Sequence, residues 1–97
     1  MKVRWSDIAV NELEAIFLYI IEHNRSSAEK VARRIIDRAN SLAEFPLVGP
    51  PANHRGTRRL IIANYPYAIY YTIDRAAGEV LIASVRHTAR KQSPAED

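Results

Sequence analysis

The chain has 97 residues, of which 47% are hydrophobic and 26% charged, with a net charge of +3 and an isoelectric point near 9.5. This length suits a single domain over residues 1–97, and this composition excludes a wholly disordered chain. The absence of cysteine excludes disulfides, thiolate zinc sites and cysteine nucleophiles. Because no apolar run approaches the roughly 20 residues that span a bilayer and no secretion signal opens the chain, we expect a cytoplasmic protein without membrane contact.

Positive charge is concentrated in the second half of the chain. Residues 1–45 are neutral overall, whereas residues 46–97 carry the whole net charge of +3. Most of the basic residues are arginines, whose guanidinium group binds phosphate or carboxylate through paired hydrogen bonds. The sequence therefore predicts an acidic partner, either a nucleic acid or an acidic protein segment. The alternative is a basic surface that is merely solvated. The widely separated histidines predict no metal site.

The chain begins with the pattern of a short strand followed by a helix. Residues 2–5 alternate polar and apolar side chains, as a strand with one buried face does. Apolar residues then recur at helical spacing over residues 7–23, and Ser6 is placed to act as the N-cap. We expect this helix to stop at Asn24.

A second helix is predicted directly after the first. Ser26 and Glu29 form a capping-box pattern at its start. We expect it to end at or before Phe45, because Pro46 disfavours helical backbone at the residue before it. The gap of about three residues between the two helices predicts an antiparallel helical hairpin.

The second half of the chain has the pattern of a sheet. Residues 46–57 are rich in proline and glycine and predict a loop. Three strands are then expected at residues 59–63, 67–73 and 80–85. Gly78 is free to adopt a positive φ in the hairpin between the last two strands. The order is β-α-α-β-β-β, which predicts an α+β fold with the helical hairpin packed on a largely antiparallel sheet. We expect residues 91–97 to form a frayed tail.

Some apolar surface exceeds what this fold buries. The predicted strands are apolar on both faces, and strict alternation along the last strand places Val80 and Ile82 opposite Val85. A helical hairpin covers only one face of a sheet. On the first helix, Leu18 and Tyr19 fall outside the main apolar stripe, and an uncovered strip of this kind predicts a partner site. The alternative is that loops and tails fold over it.

Basic residues mark the ends of two predicted strands. Arg58 and Arg59 open the first of the three strands, while Arg86 and His87 close the last, with Arg90 just beyond. In meander order these two outer strands run parallel to each other. The start of the first and the end of the last then lie at opposite edges of the sheet, so a single cluster of all five residues does not follow from this order.

The second basic group includes the residue best suited to acid–base chemistry. Histidine is the usual side chain for acid–base chemistry in proteins, which makes His87 a candidate, and RNA cleavage requires a base, an acid and cations that stabilise the phosphorane. Arg86, Arg90 and a tyrosine, either Tyr70 or Tyr71, could complete such a set. The alternative is that His87 only binds a partner or caps the strand end. The basic half has no paired carboxylates and no glycine-rich phosphate loop, which argues against glycosidase, two-metal and P-loop chemistry.

Five stretches occur together in a specific order along nearly the whole chain. They are Trp5-Ser6 before the first helix, Leu42-Ala43-Glu44-Phe45-Pro46 with Gly49, Gly56-Thr57-Arg58-Arg59-Leu60, Tyr65-Pro66-Tyr67-Ala68-Ile69-Tyr70-Tyr71, and Val85-Arg86-His87-Thr88-Ala89-Arg90. In this order they resemble the RelE/ParE superfamily of bacterial type II toxin–antitoxin modules, whose fold is a helical hairpin on an antiparallel sheet. The resemblance implies a growth-inhibiting toxin, of the kind linked to plasmid stabilisation, that a cognate antitoxin holds inactive.

The resemblance leaves two modes of action open. ParE-like members bind and poison DNA gyrase, whereas RelE-like members are ribosome-dependent endoribonucleases that cut mRNA. The opening Tyr65-Pro66-Tyr67 and the ending His87-Thr88-Ala89-Arg90 resemble the ParE branch, while the nucleases carry more lysines or histidines and often a late tyrosine. We therefore expect a gyrase inhibitor rather than an enzyme. The alternatives are a ribosome-dependent nuclease and a degenerate toxin that only binds its antitoxin.

The resemblance also implies partners and site residues. A ParD-like antitoxin with an acidic C-terminal segment would lay apolar side chains along the toxin. We expect antitoxin contacts at Ile16, Leu18, Tyr19 and Tyr70. We expect target contacts at Arg58, Arg59, Arg86, His87 and Arg90. If the protein is a nuclease, the catalytic candidates are His87, Arg86, Arg58 and Arg59, acting without a metal or cofactor.

Overall fold

In the computed structural model, which describes residues 1–52 and 54–89, six elements follow in the predicted order. They are β1 (Lys2–Trp5), α1 (Asp7–Ile21), α2 (Arg25–Ser41), β2 (Thr57–Ile61), β3 (Tyr67–Asp74) and β4 (Glu79–His87). The α+β class and the β-α-α-β-β-β order are confirmed. The tail expected over residues 91–97 lies outside the described part of the chain, as does Arg90.

The first helix begins as predicted and ends earlier. The Ser6 hydroxyl accepts a hydrogen bond from the Ala9 N–H at 3.0 Å and so caps α1. The expected end at His23 is wrong, because α1 stops at Ile21 and the next residues already turn toward the second helix.

The cap of the second helix differs from the predicted one. The Asn24 side chain accepts from the Ser27 N–H at 3.1 Å, so Asn24 rather than Ser26 is the N-cap of α2. Asn24 therefore starts a helix as well as following one, which is why α1 ends early. At the other end, α2 stops at Ser41, and the Phe45 N–H still donates to the Ser41 carbonyl at 3.1 Å.

The four strands form one sheet in the order β1-β4-β3-β2. β3 pairs antiparallel with both β2 and β4, whereas β1 pairs parallel with β4. The sheet is therefore mixed, with a single parallel pair at the β1 edge. The helical hairpin packs on one face, and the core is built from apolar side chains of both helices, three strands and the residues directly after α2 and β2: Ala9, Val31, Ile35, Ala39, Leu42, Leu60, Ile62, Tyr67, Ile69, Tyr71, Val80, Ile82 and Val85.

A β-bulge changes the faces of β4. The pairing of β3 with β4 shifts between Tyr70 and Tyr71, which leaves Ala83 as an extra residue on β4. The extra residue reverses the alternation, so Val85 joins Ile82 in the core. The prediction that Val85 faces away from the earlier apolar residues of β4 is therefore wrong.

Two residues with positive φ close the turns of the sheet. Gly78, with φ of 68°, ends the turn between β3 and β4, as predicted. Asn64, with φ of 72°, lies in the turn between β2 and β3, and asparagine tolerates this conformation better than most residues. These turns keep β2, β3 and β4 in a tight meander.

Candidate functional site

A cavity of about 570 Å³ opens between the middle of α1 and the end of β4. This α1–β4 cleft is lined by Glu12, Ala15, Ile16, Tyr19, Pro66, Tyr67, Val85, Arg86 and His87. The fold thus brings two predicted target residues, Arg86 and His87, beside two predicted antitoxin residues, Ile16 and Tyr19. A partner segment that enters the cleft would contact both groups.

The cleft exists because β1 is shorter than its neighbour. β1 pairs with β4 only as far as Trp5 and Ile82. The Ser6 N–H then donates to the Ile82 carbonyl, and the Ser6 hydroxyl donates to the Ala83 carbonyl, both at 2.9 Å. Beyond that point the chain enters α1, so a helix replaces a strand beside the second half of β4.

Glu12 compensates for the missing strand. Its Oε1 accepts hydrogen bonds from the Ser84 hydroxyl at 2.6 Å and from the Val85 N–H at 3.0 Å. Its Oε2 lies 3.8 Å from Nε of Arg86, and that Nε also donates to the Ser84 hydroxyl at 3.1 Å. A single carboxylate thus satisfies the edge of β4 and compensates a buried arginine.

Sequence reasoning did not single out Glu12. The available signal was its position between Ala9 and Ile16, one turn from each, on the helix face that otherwise carries apolar residues. An acidic residue on a core-facing stripe indicates a buried donor opposite it. The donors that Glu12 binds, on Ser84, Val85 and Arg86, could not be predicted without the bulge in β4, because the bulge decides which residues of β4 face α1.

His87 lies at the open end of the cleft. Its ring meets the Tyr67 ring edge-on, with centroids 5.6 Å apart and an interplanar angle of 79°. Its Nδ1 accepts a hydrogen bond from the Ala89 N–H at 3.1 Å, so the neutral ring carries its proton on Nε2 and presents a donor to solvent. Burial raises the pKa of Tyr67, and the neighbouring Tyr19 raises it further.

The other predicted basic residues lie on β2. Nη1 of Arg58 donates to the Gly49 carbonyl at 2.7 Å, and Nε of Arg59 donates to the Tyr70 hydroxyl at 3.0 Å. Arg58 pairs with Tyr71, three residues along β3 from the partner of Arg86, a separation of about 10 Å along the strand. Arg58 and Arg86 therefore lie at different positions along the sheet.

The predicted antitoxin residues differ in accessibility. Leu18 and Tyr19 are 53% and 68% exposed, and Ile16 is half-buried on the wall of the cleft. Tyr70 is fully buried within the chain. The accessible part of this predicted surface is therefore the α1 strip of Leu18 and Tyr19 together with the cleft beside it.

Metal-binding and membrane-spanning features are absent from the part of the chain described. Over residues 1–52 and 54–89, no group of three or more His, Cys, Asp or Glu side chains could hold a metal ion. Within the same residues, no helix is both long and apolar enough to cross a bilayer.

Comparison with known proteins identifies the family. A family model described as the ParE toxin of the type II toxin–antitoxin system parDE matches residues 3–92. The chain belongs to the ParE toxin family. The toxin is 37% identical over 93 residues to the protein Y4kP of Sinorhizobium fredii, covering 96% of this chain and 93% of that one. It is also 37% identical over 89 residues to toxin RelE2 of Caulobacter vibrioides, covering 92% and 97% of the two chains.

Solved structures of both branches share the fold of the toxin. A chain of the chromosomal ParDE system from P. aeruginosa superposes with a TM-score of 0.78 at 21% identity, covering 90% of this chain and 95% of that one. A chain of the RelBE2 toxin–antitoxin complex from Mycobacterium tuberculosis gives 0.67 at 23% identity, covering 89% and 95%. The isolated E. coli RelE toxin gives 0.59 at 11% identity, covering 98% and 89%.

Proposed function

We propose that this toxin inhibits growth by binding DNA gyrase and that a cognate ParD-like antitoxin neutralises it. The observation that carries the proposal is the match to ParE toxins over residues 3–92. The ParDE and RelBE2 systems, named as toxin–antitoxin assemblies, support an antitoxin partner for this chain. The gyrase target rests on the ParE resemblance together with the geometry of the cleft.

The geometry favours binding over catalysis. RNA cleavage requires a base, an acid and cations that converge on one phosphate. In the described part of the chain, Arg86 is paired with Glu12, and Nδ1 of His87 is occupied by the Ala89 N–H. Arg58 lies on the far side of β3 and holds a loop carbonyl. These contacts support a rigid, partly basic recognition surface.

We assign different roles to the predicted target residues. His87 is exposed, and Arg58 and Arg59 are half-buried, so these three can meet a protein surface. Arg86 has only 8% of its side chain exposed and acts by holding the end of β4 in place. Arg90, four residues after Arg86 in the sequence, remains a predicted contact.

The cleft suggests how the antitoxin neutralises the toxin. Tyr19 and His87 line the same cavity, so an apolar antitoxin side chain seated there would cover His87. The strip of Leu18 and Tyr19 beside the cleft supplies further apolar area for an amphipathic antitoxin segment. Antitoxin binding would thereby exclude the target from one end of the sheet.

A ribosome-dependent endoribonuclease is the second candidate. It is favoured by the identity of 37% to a protein named toxin RelE2. In that case His87, with nearby arginines, would act on mRNA held in the ribosome.

Purified antitoxin-free toxin separates the two candidates in a split assay. One arm contains supercoiled plasmid, gyrase and ATP, and the other contains translating ribosomes with mRNA. We expect linear or unsupercoiled plasmid, intact mRNA and a weaker gyrase effect for His87→Ala. Cut mRNA with normal supercoiling, abolished by the same variant, would contradict the proposal.

A further inference from the structure

The loop after α2 presents large apolar side chains to solvent. Phe45, Leu47 and Val48 are 62%, 54% and 49% exposed. Together with Glu44 and Pro46 they enclose a shallow hollow of about 370 Å³, and residues 45–48 are called the platform loop below. Several exposed apolar side chains in one short stretch mark an interaction surface more often than isolated ones do.

Hydrogen bonds with Tyr71 and Arg58 fix the backbone at both ends of the platform loop. The Tyr71 hydroxyl donates to the Pro46 carbonyl at 2.7 Å and accepts from the Gly49 N–H at 2.9 Å. Nη1 of Arg58 donates to the Gly49 carbonyl at 2.7 Å. A Cβ at Gly49 would lie 2.8 Å from the Tyr71 hydroxyl oxygen, so only glycine fits there. Because the loop is already ordered, a partner that binds it pays little conformational entropy for the loop.

The platform loop and the α1–β4 cleft are separate surfaces that share no lining residue. The loop is anchored on Tyr71, whereas Tyr67 on the same strand lines the cleft. These two residues are four positions apart on β3, which is about 13 Å along the strand. A short segment seated in the cleft therefore leaves the platform loop uncovered.

The charges at the two sides of the platform loop differ. The hydrogen bonds of Arg58 to the described residues use Nη1 alone, so its remaining N–H groups can donate to a carboxylate next to Leu47 and Gly49. Glu44, which directly precedes the loop in the sequence, lines the hollow, whereas Arg58 binds the residue that follows the loop. The surface therefore suits a segment that is apolar in the middle, acidic at the Arg58 side and without acidic charge at the Glu44 side.

We propose that the platform loop is a preformed docking site for an apolar segment of the target protein, one carboxylate of which binds Arg58. The proposal rests on the proposed function, in which the toxin acts by binding a protein target. Four residues are too few for a stable protein interface, which takes about 20–30 residues a side. The loop is therefore an anchor within a larger contact that includes the half-buried arginines of β2.

A matched pair of substitutions tests this assignment. Leu47 and Leu18 are equally exposed, at 54% and 53%, but lie on the platform loop and on the α1 strip respectively. Leu47→Asp should weaken binding to purified gyrase by roughly 30-fold, the loss typical of a hot-spot residue, and leave antitoxin affinity unchanged. Leu18→Asp should do the reverse. Phe45→Ser is the second loop variant, and thermal unfolding confirms that each variant is folded.

The outcomes separate this proposal from the proposed function. If wild-type toxin and both folded loop variants bind gyrase equally well, the docking site is refuted while the gyrase target stands. If wild-type toxin does not bind gyrase, growth inhibition in cells without antitoxin becomes the readout. In those cells, loss of inhibition in Leu47→Asp but not Leu18→Asp supports the docking site on another target protein. Full inhibition by Leu47→Asp, or a wild-type chain that inhibits nothing, overturns it.

Discussion

Removing the Glu12 carboxylate should destabilise the toxin substantially, although Glu12 is only half-buried on α1. Glu12→Ala leaves the Ser84 hydroxyl and the Val85 N–H without their acceptor and removes the countercharge of Arg86. Hydrogen bonds to a charged group contribute about 1.5–3 kcal/mol each. Because the Glu12 side chain is 24% exposed, water can partly replace it, and we expect a total loss of about 3 kcal/mol in the free energy of unfolding.

Urea-induced unfolding measures this loss, and the corresponding fall in Tm is about 12–24 °C for a domain of this size. Glu14→Ala is the matched control, since Glu14 is an exposed acidic residue on the same helix, and it should change stability by less than about 0.5 kcal/mol. Glu12→Gln retains an acceptor oxygen and should lose about 1 kcal/mol. If Glu12→Ala were as stable as Glu14→Ala, the carboxylate would not be satisfying the edge of β4.

Two further predictions concern the platform loop and alkaline pH. Gly49→Ala should lower stability by about 2 kcal/mol in urea unfolding, because the added methyl group displaces the Tyr71 hydroxyl; wild-type stability would mean that the loop is not fixed by that contact. Burial raises the pKa of Tyr67 and also that of Tyr71, where it outweighs the opposing effects of the Gly49 N–H and Arg58. When the pKa of a tyrosine is higher in the folded than in the unfolded protein, that tyrosine contributes to stability. The contribution is complete below the unfolded-state pKa of about 10 and is lost as the pH rises through the folded-state pKa. Unfolding free energies measured between pH 8 and 11 should stay level below about pH 10 and fall above it, and less so in Tyr71→Phe; a flat profile up to pH 11 in the wild type would contradict this account.

Local patterns predicted the elements of this fold well. The Ser6 cap, the hairpin of helices and the positive φ of Gly78 depend on neighbouring residues, and the structure confirms all three. The second cap was wrong because Asn24 and Ser26 are both good capping residues, and only the packed hairpin selects between them.

Features that depend on distant pairing were harder to predict. The bulge at Ala83 arises from the register between β3 and β4, which strict alternation along one strand cannot reveal. The roles of Glu12 and Arg58 depend on contacts with residues far along the chain, at Val85 and Gly49 respectively. The sequence therefore identified the arginines at the strand ends. It did not identify the Glu12 carboxylate that contacts Arg86 or the Gly49 carbonyl that accepts from Arg58.

A titration of gyrase with antitoxin-free toxin tests the central claim most directly. If the toxin is a binding inhibitor, loss of supercoiling should rise with toxin concentration and saturate near one toxin per gyrase binding site, with the mRNA of a parallel translation reaction intact. Degradation of mRNA by trace amounts of toxin, with gyrase unaffected at equimolar toxin, would show turnover on RNA and contradict the account.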